Sequence, residues 1–259
     1  LYPLDAWFIF PLMILGGIIG GIFWAMIPTI LKIKFNTNEI LVSLMLVYVA
    51  EQILALASVG FLRNPEGLGF PGSRDLSKYP SAANPELIAN SGIHLGVVFS
   101  VLAVIFLTYF LIYHRLGFQI KLIGQAPKAA KFSGVNINYI IIFCLGLSGG
   151  LAGIAGMFEL TGPAGLINID FNVGYGFTAI IVAFLGRLHP VGIFFAGLLM
   201  SLTYVGGELA QLMLNIPAAS IQVFQGMLLF FLLSTDLLVS YKVSFNLGTN
   251  NSNPKSKSK

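Results

Sequence analysis

Charge is what this chain has least of. Only 9% of its 259 residues are Asp, Glu, Lys or Arg, where a water-soluble domain carries about a quarter. So small a complement cannot cover the surface of a soluble protein of this length, and long uncharged runs recur throughout. Cysteine is nearly absent as well. Cys144, inside an apolar run, makes no intramolecular disulfide and no thiolate metal site; it reads as a small buried apolar side chain. Neither Gly-x-Ser-x-Gly nor His-Glu-x-x-His occurs. His94, His114 and His189 pair with no nucleophile in the sequence, so no catalytic residue and no metal site is assigned. A Gly-x-x-x-x-Gly-Lys-Ser/Thr loop is missing too, which leaves no ATP site of that kind. There is no signal peptide with a basic n-region, and the first residue is Leu1 rather than Met. The expectation is a chain whose preceding residues are missing.

What is present is apolar surface in span-length pieces. Hydrophobic residues make up 56% of the chain, and runs of about 20 can cross a bilayer. Such runs occupy Trp7 to Leu31, Ile40 to Leu62, Ile93 to Tyr113, Tyr139 to Leu160, Val191 to Leu214 and Ala218 to Leu233, with a shorter one from Val173 to Leu185. These predict an all-α, polytopic transmembrane helical bundle of seven visible spans. The short fifth run and the polar stretch from Gly206 to Pro217 predict broken or re-entrant helices, a backbone tolerated at membrane depth only inside protein or beside a cavity. Residues 1–245 then form the transmembrane domain, and the polar, Lys/Ser-rich stretch 246–259 a disordered tail.

The net charge of +4 does not point to nucleic acid, for which there is no motif. Basic residues sit between the apolar runs, as in proteins that retain them on the cytoplasmic face of a lipid membrane. If Lys32 and Lys34 are cytoplasmic, alternation puts Arg115, Lys121, Lys128, Lys131, Arg187 and the tail lysines on the same side. Arg63, Arg74 and Lys78 fall outside. Eleven of the fourteen basic residues are then inside, which orients a multi-pass protein with a cytoplasmic C-terminus. The outer loop from Arg63 to Gly92, with Pro65, Pro71, Pro80 and Pro85, reads as ordered turns.

Polar residues within the spans are expensive and few. Glu51 sits mid-span, where a carboxylate costs about 2.5–3.5 kcal/mol on insertion scales, so it faces the bundle interior or a wet cavity. It serves there as an interhelical hydrogen-bond partner, as part of a solute path, or as an ion or proton relay. Ser43 and Ser58 lie near its helical face. Glu159 and Glu208 lie nearer span ends, and Gln211, Gln222 and Gln225 bring amides near the last break. Ser43, Glu51, Phe177, Glu208, Gln211, Gln222 and Gln225 are the candidate solute path. Gly16 and Gly20, like Gly17 and Gly21, are four apart. Gly149 and Gly153 repeat that spacing among the glycines of the fourth span, a pattern that lets helix backbones approach closely. Gly16, Gly20, Gly149 and Gly153 are the expected packing positions.

The inner loop from Arg115 to Asn138 carries no acidic residue. Pro127 suits the first turn of a short helix, Ala129 and Ala130 give it a small surface, and Gly134 can end it in left-handed backbone. Such a helix can plug a groove on a partner. This loop resembles the coupling loop of ABC-importer permeases, whose pattern is Glu-Ala-Ala with a glycine four residues after the second alanine. Ala129, Ala130 and Gly134 match, and Lys128 replaces the glutamate. The Phe35-Asn-Thr-Asn-Glu-Ile segment, Arg63-Asn-Pro-Glu-Gly, Ser148-Gly-Gly-Leu-Ala-Gly and Gly174-Tyr-Gly-Phe-Thr-Ala are similar to permeases of the branched-chain amino acid, simple sugar and nucleoside type, nucleoside permeases above all. Val47 stands where that family leads one to expect a polar amide. The matches run from about Gly16 to Asp236.

The resemblance implies a permease subunit in a bacterial inner membrane that performs no covalent chemistry itself. It pairs with a second permease subunit and with ABC ATPase subunits, which bind the ATP; this chain holds no cofactor. An extracytoplasmic solute-binding protein delivers a neutral polar solute, a nucleoside or simple sugar. Gly124, Pro127, Ala129, Ala130 and Gly134 are then the ATPase-coupling residues. The alternative is a secondary transporter with Glu51 as relay.

Overall fold

The computed structural model describes residues 8–65, 67, 70–79, 81–84, 86–88, 92–169, 171–172, 174–215 and 217–240, without the side chains of 218, 222, 225, 229, 232–233 and 236–240. Trp7, the 246–259 tail and the side chains of Gln222 and Gln225 therefore lie outside the described residues. Among the described residues the regular structure is helical, without strands. The helices are α1 (Ile9–Phe35), α2 (Glu39–Val59), α3 (Leu95–Tyr113), α4 (Arg115–Gln125), α5 (Pro127–Phe132), α6 (Ile137–Thr161), α7 (Tyr175–Leu185), α8 (Pro190–Leu214) and α9 (Ala218–Ser240), with a 3-10 turn at Leu76–Lys78.

Five of these, α1, α2, α3, α6 and α8, are long and apolar enough to cross a membrane. Their outer faces carry exposed Leu, Ile, Val and Phe, surface that only lipid or apolar protein can cover. The chain is thus a multi-pass helical membrane protein. Helix α7 has 11 residues and rises about 16 Å, roughly half the hydrocarbon thickness; it is too short to cross alone.

The chain divides into two compact units, Leu1–Tyr175 and Gly176–Lys259. In the first, α1 and α6 form the most extensive helix pair. They run antiparallel, with Gly17 facing Gly153 and Gly21 facing Gly149. A Cβ built on Gly17 would lie 2.8 Å from the Gly153 carbonyl oxygen, and one on Gly153 would strike the Gly17 carbonyl. Backbone meets backbone here, the packing that small residues permit in lipid. The register corrects the expectation for α1: Cβ atoms at Gly16 and Gly20 would meet nothing within 4 Å. Both pairs have the same spacing, but only Gly17 and Gly21 point at α6.

Local turn chemistry joins the helices. Asn36 ends α1 in left-handed backbone (φ 50°), and Asn38 caps α2, its side-chain oxygen accepting from the Ile40 amide. Lys32 pairs with Glu39 across the turn. At the opposite end the outer loop lies on the end of α6. The Ser73 amide donates to Ile167 O (2.8 Å), the Leu76 amide to Gly165 O (2.8 Å) and the Asn84 amide to Thr161 O (2.9 Å). One end of this unit therefore holds Lys32, Lys34, Arg115, Lys121, Lys128 and Lys131, and the other holds Arg63, Arg74 and Lys78.

In the second unit, Thr178 Oγ1 and Tyr204 Oη share a hydrogen bond of 2.7 Å between α7 and α8. Arg187 and Leu188 both adopt left-handed backbone in the turn between them (φ 52° and 56°). The break expected from Gly206 to Pro217 is narrower than the sequence suggests, because α8 continues to Leu214 and ends at left-handed Asn215. Gly206 and Gly207 stay helical, and Gly207 lies against Ile221 of α9 at a distance too short for a Cβ.

Candidate functional site

Two places in the first unit hold sequence-expected site residues: the α4–α5 segment at the basic end, and α2 with Ser43 and Glu51.

The α4–α5 segment is built by its caps. His114 ends α3 and starts α4. Its Nδ1 accepts from the Leu116 amide at 3.1 Å, and its ring stacks on Phe110 with centroids 5.0 Å apart. Helix α4 is amphipathic. Ala126 breaks the helical path (φ −145°, ψ 76°), and Pro127 opens α5 at its first turn. Gly134, at φ +76°, closes α5 with paired bonds: its own amide donates to Lys131 O and that of Val135 to Ala130 O. This double closure is the Schellman arrangement. A six-residue helix is far too short to hold its form in isolation; Ala130, at 0% exposure, ties it to the rest of the chain.

That burial changes the reading of the paired alanines. Ala129 is exposed and Ala130 is not, so they do not share one outward surface. The outward face of α5 consists of Pro127, Lys128, Ala129, Lys131 and Phe132, with Phe132 93% exposed. Gly124 opens outward as well, with nothing within 4 Å of a Cβ placed there.

In α2, the Glu51 carboxylate accepts a hydrogen bond from Asn172 Nδ2 at 2.6 Å. Asn172 Oδ1 in turn accepts from the Gly174 amide at 3.1 Å, an Asx turn that fixes the amide's orientation. Glu51 lies eight residues before the end of α2, about 12 Å along the axis. Ile167 O accepts from the Ser73 amide of the outer loop, and five residues on Asn172 lies beside Glu51. Tyr48, one helical turn before Glu51, is 58% exposed.

The other candidates are dispersed. The Ser43 hydroxyl donates to Ile40 O and that of Ser58 to Ala55 O, so both are turned back on their own helix. In the second unit Phe177 and Glu208 are exposed, with Gln211 half-buried one turn beyond Glu208. Asn172, Tyr48 and Phe132 were not among the expected site residues. The Asn-Val-Gly turn signal ahead of the short span is the cue that marks Asn172; exposure of an aromatic side chain leaves no such cue. Among the described residues no group of three or more His, Cys, Asp or Glu could hold a metal ion.

The fold and these two places define a membrane-embedded helical protein with a short basic helix exposed at one end. The chain belongs to the family described as branched-chain amino acid transport system permease components, whose family model matches residues 2–233. It is 32% identical over 243 residues to a glucose ABC transporter permease protein of Haloferax volcanii, covering 90% of this chain and 63% of that one. Over 234 residues it is 27% identical to a nucleoside ABC transporter permease protein of Lactococcus lactis subsp. cremoris, covering 86% of this chain and 62% of the other. A guanosine ABC transporter permease protein of Bacillus subtilis is 24% identical over 242 residues. The chain spans less than two thirds of the length of the first two relatives. No solved structure matches it.

Proposed function

We propose that this chain is the membrane-spanning permease subunit of an ATP-driven importer for a neutral polar solute, a nucleoside or simple sugar. Separate ATPase subunits bind the ATP and dock on the 115–138 loop. A second permease subunit completes the path, and an extracytoplasmic binding protein supplies the solute. The protein resides in the inner, or plasma, membrane with its C-terminus in the cytoplasm. The observation that carries this reading is α5, a six-residue helix held by Ala130 that presents Pro127, Lys128, Ala129 and Phe132 outward. An exposed aromatic beside small and basic residues is the composition of a protein-binding anchor rather than of a connector. The relatives' descriptions as ABC permeases support the same reading. They disfavour the secondary-transporter alternative, and Asn172, the hydrogen-bond partner of Glu51, is an amide that does not titrate.

The test is a photo-crosslinking residue at position 132 in intact cells. The expected product joins this chain to an ATPase subunit. Phe132→Ala should lower ATP-driven uptake about tenfold or more at unchanged membrane abundance, the loss typical of an interface anchor. Uptake that persists undiminished after ATP depletion sinks the proposal.

A further inference from the structure

We infer that Tyr48, Glu51 and Asn172 form a solute subsite at membrane depth, selective for neutral molecules that present a hydrogen-bond donor beside an acceptor. The inference rests on the transport reading above.

The argument begins with what the three residues leave unused. Asn172 gives one side-chain N–H to Glu51 Oε1, and its oxygen accepts from Gly174. Among the described residues its second N–H has no partner, and Asn172 is exposed. Glu51 keeps its other oxygen as an acceptor. Tyr48 places a ring three residues before Glu51, a spacing that makes the two side chains neighbours on the helix surface. The ring is exposed, flat, and apolar on its face, with a hydroxyl at its tip.

Glu51 Oε1 is taken by Asn172, so the open carboxylate oxygen and the second Asn172 N–H together present an acceptor beside a donor, which pairs best with a donor beside an acceptor. A vicinal diol offers such a pair, one hydroxyl donating and the other accepting, and so does the edge of a guanine, whose N1–H lies beside O6. A flat ring one turn away suits the C–H face of a sugar or the face of a base equally well. An anionic solute would meet the carboxylate and be disfavoured. The stretch before α7 supplies the geometry: it sets the Asn172 amide beside Glu51 of α2. A purely structural bond between α2 and this segment would engage Glu51 and Asn172 but would have no use for an exposed Tyr48.

The test uses the complex purified through a tag on this chain and reconstituted in proteoliposomes. Initial rates are measured with labelled glucose, guanosine and, as the anionic comparator, glucose 6-phosphate. For whichever neutral solute the parent imports, Tyr48→Ala and Asn172→Ala should each raise KM about tenfold with kcat little changed, the worth of one lost contact. Tyr48→Phe, which keeps the ring, should retain most of the affinity. Glu51→Gln should raise KM for the neutral solute and admit glucose 6-phosphate more readily. Import of glucose alone marks a diol as the donor–acceptor pair, and import of guanosine alone marks the base edge. Parental KM in Tyr48→Ala at normal membrane abundance overturns the subsite while leaving the transport reading intact. Where Asn172→Ala fails to assemble, the two Tyr48 variants decide. A parent complex with no ATP-driven uptake of either solute overturns the transport reading, and the subsite with it.

Discussion

Two neighbouring residues of α5 meet opposite surroundings, and the proposed docking role falls on only one of them. Ala129 faces outward and Ala130 is fully buried, although both are alanines in one turn of α5. Ala130→Asp places an unpaired carboxylate where there is no water, which costs several kcal/mol on any scale. That variant should lose folded yield, visible as reduced membrane abundance and a broadened size-exclusion peak. Ala129→Asp should assemble at parental levels and lose ATP-driven uptake, since its charge meets only the partner. Equal abundance of the two variants would contradict the inward orientation of Ala130. At the other end of the molecule, the Ser77 hydroxyl and amide hold the Asp75 carboxyl below the usual carboxylate range. A carboxyl held low contributes order to its turn above the unfolded value of about 3.9, and that contribution fades as pH falls through the folded value. Pepsin nicking of the 76–78 turn should therefore rise in the parent below about pH 3.9. In Asp75→Asn the turn should be cut at a rate set by the protease alone.

At the level of the helices, the α1–α6 seam is the part most sensitive to bulk. Gly153→Leu has no room against the Gly17 carbonyl and should lower folded yield severalfold, within the range for overpacked cores. Gly20→Leu should be tolerated by the fold of the single chain, because its side of α1 is open; thermal aggregation of the two purified variants would show the contrast. The spans themselves are legible in the sequence because an apolar run of the right length has one stable outcome in lipid. The α1–α2 turn is legible for a different reason: Asn36 and Asn38 carry turn and cap chemistry locally. The α1 register is not, since Gly16/Gly20 and Gly17/Gly21 satisfy the same spacing and only the partner helix chooses between them. Nor is the inward side of α5, because six residues are too few to display a periodic face.

At the largest scale, the basic residues of the first unit sort by end. The hydrogen bonds of the outer loop put Arg63, Arg74 and Lys78 at the end of the first unit opposite Lys121. An impermeant amine reagent applied to sealed cells should therefore label Lys78 and spare Lys121; labelling of Lys121 from outside would invert the topology. This sorting can be read from the sequence, because it depends only on the alternation of spans. The Glu51–Asn172 contact cannot be, since it joins residues 121 positions apart and, among the described residues, Asn172 lies outside any helix. The seam between α1 and α6 also has a mechanical meaning. Two helices whose backbones touch have no cushion of side chains between them, so neither can turn about its own axis without collision. They form one stiff beam, and a pull exerted at the start of α6, just beyond α5, reaches the far end of α1 as the tilt of that beam.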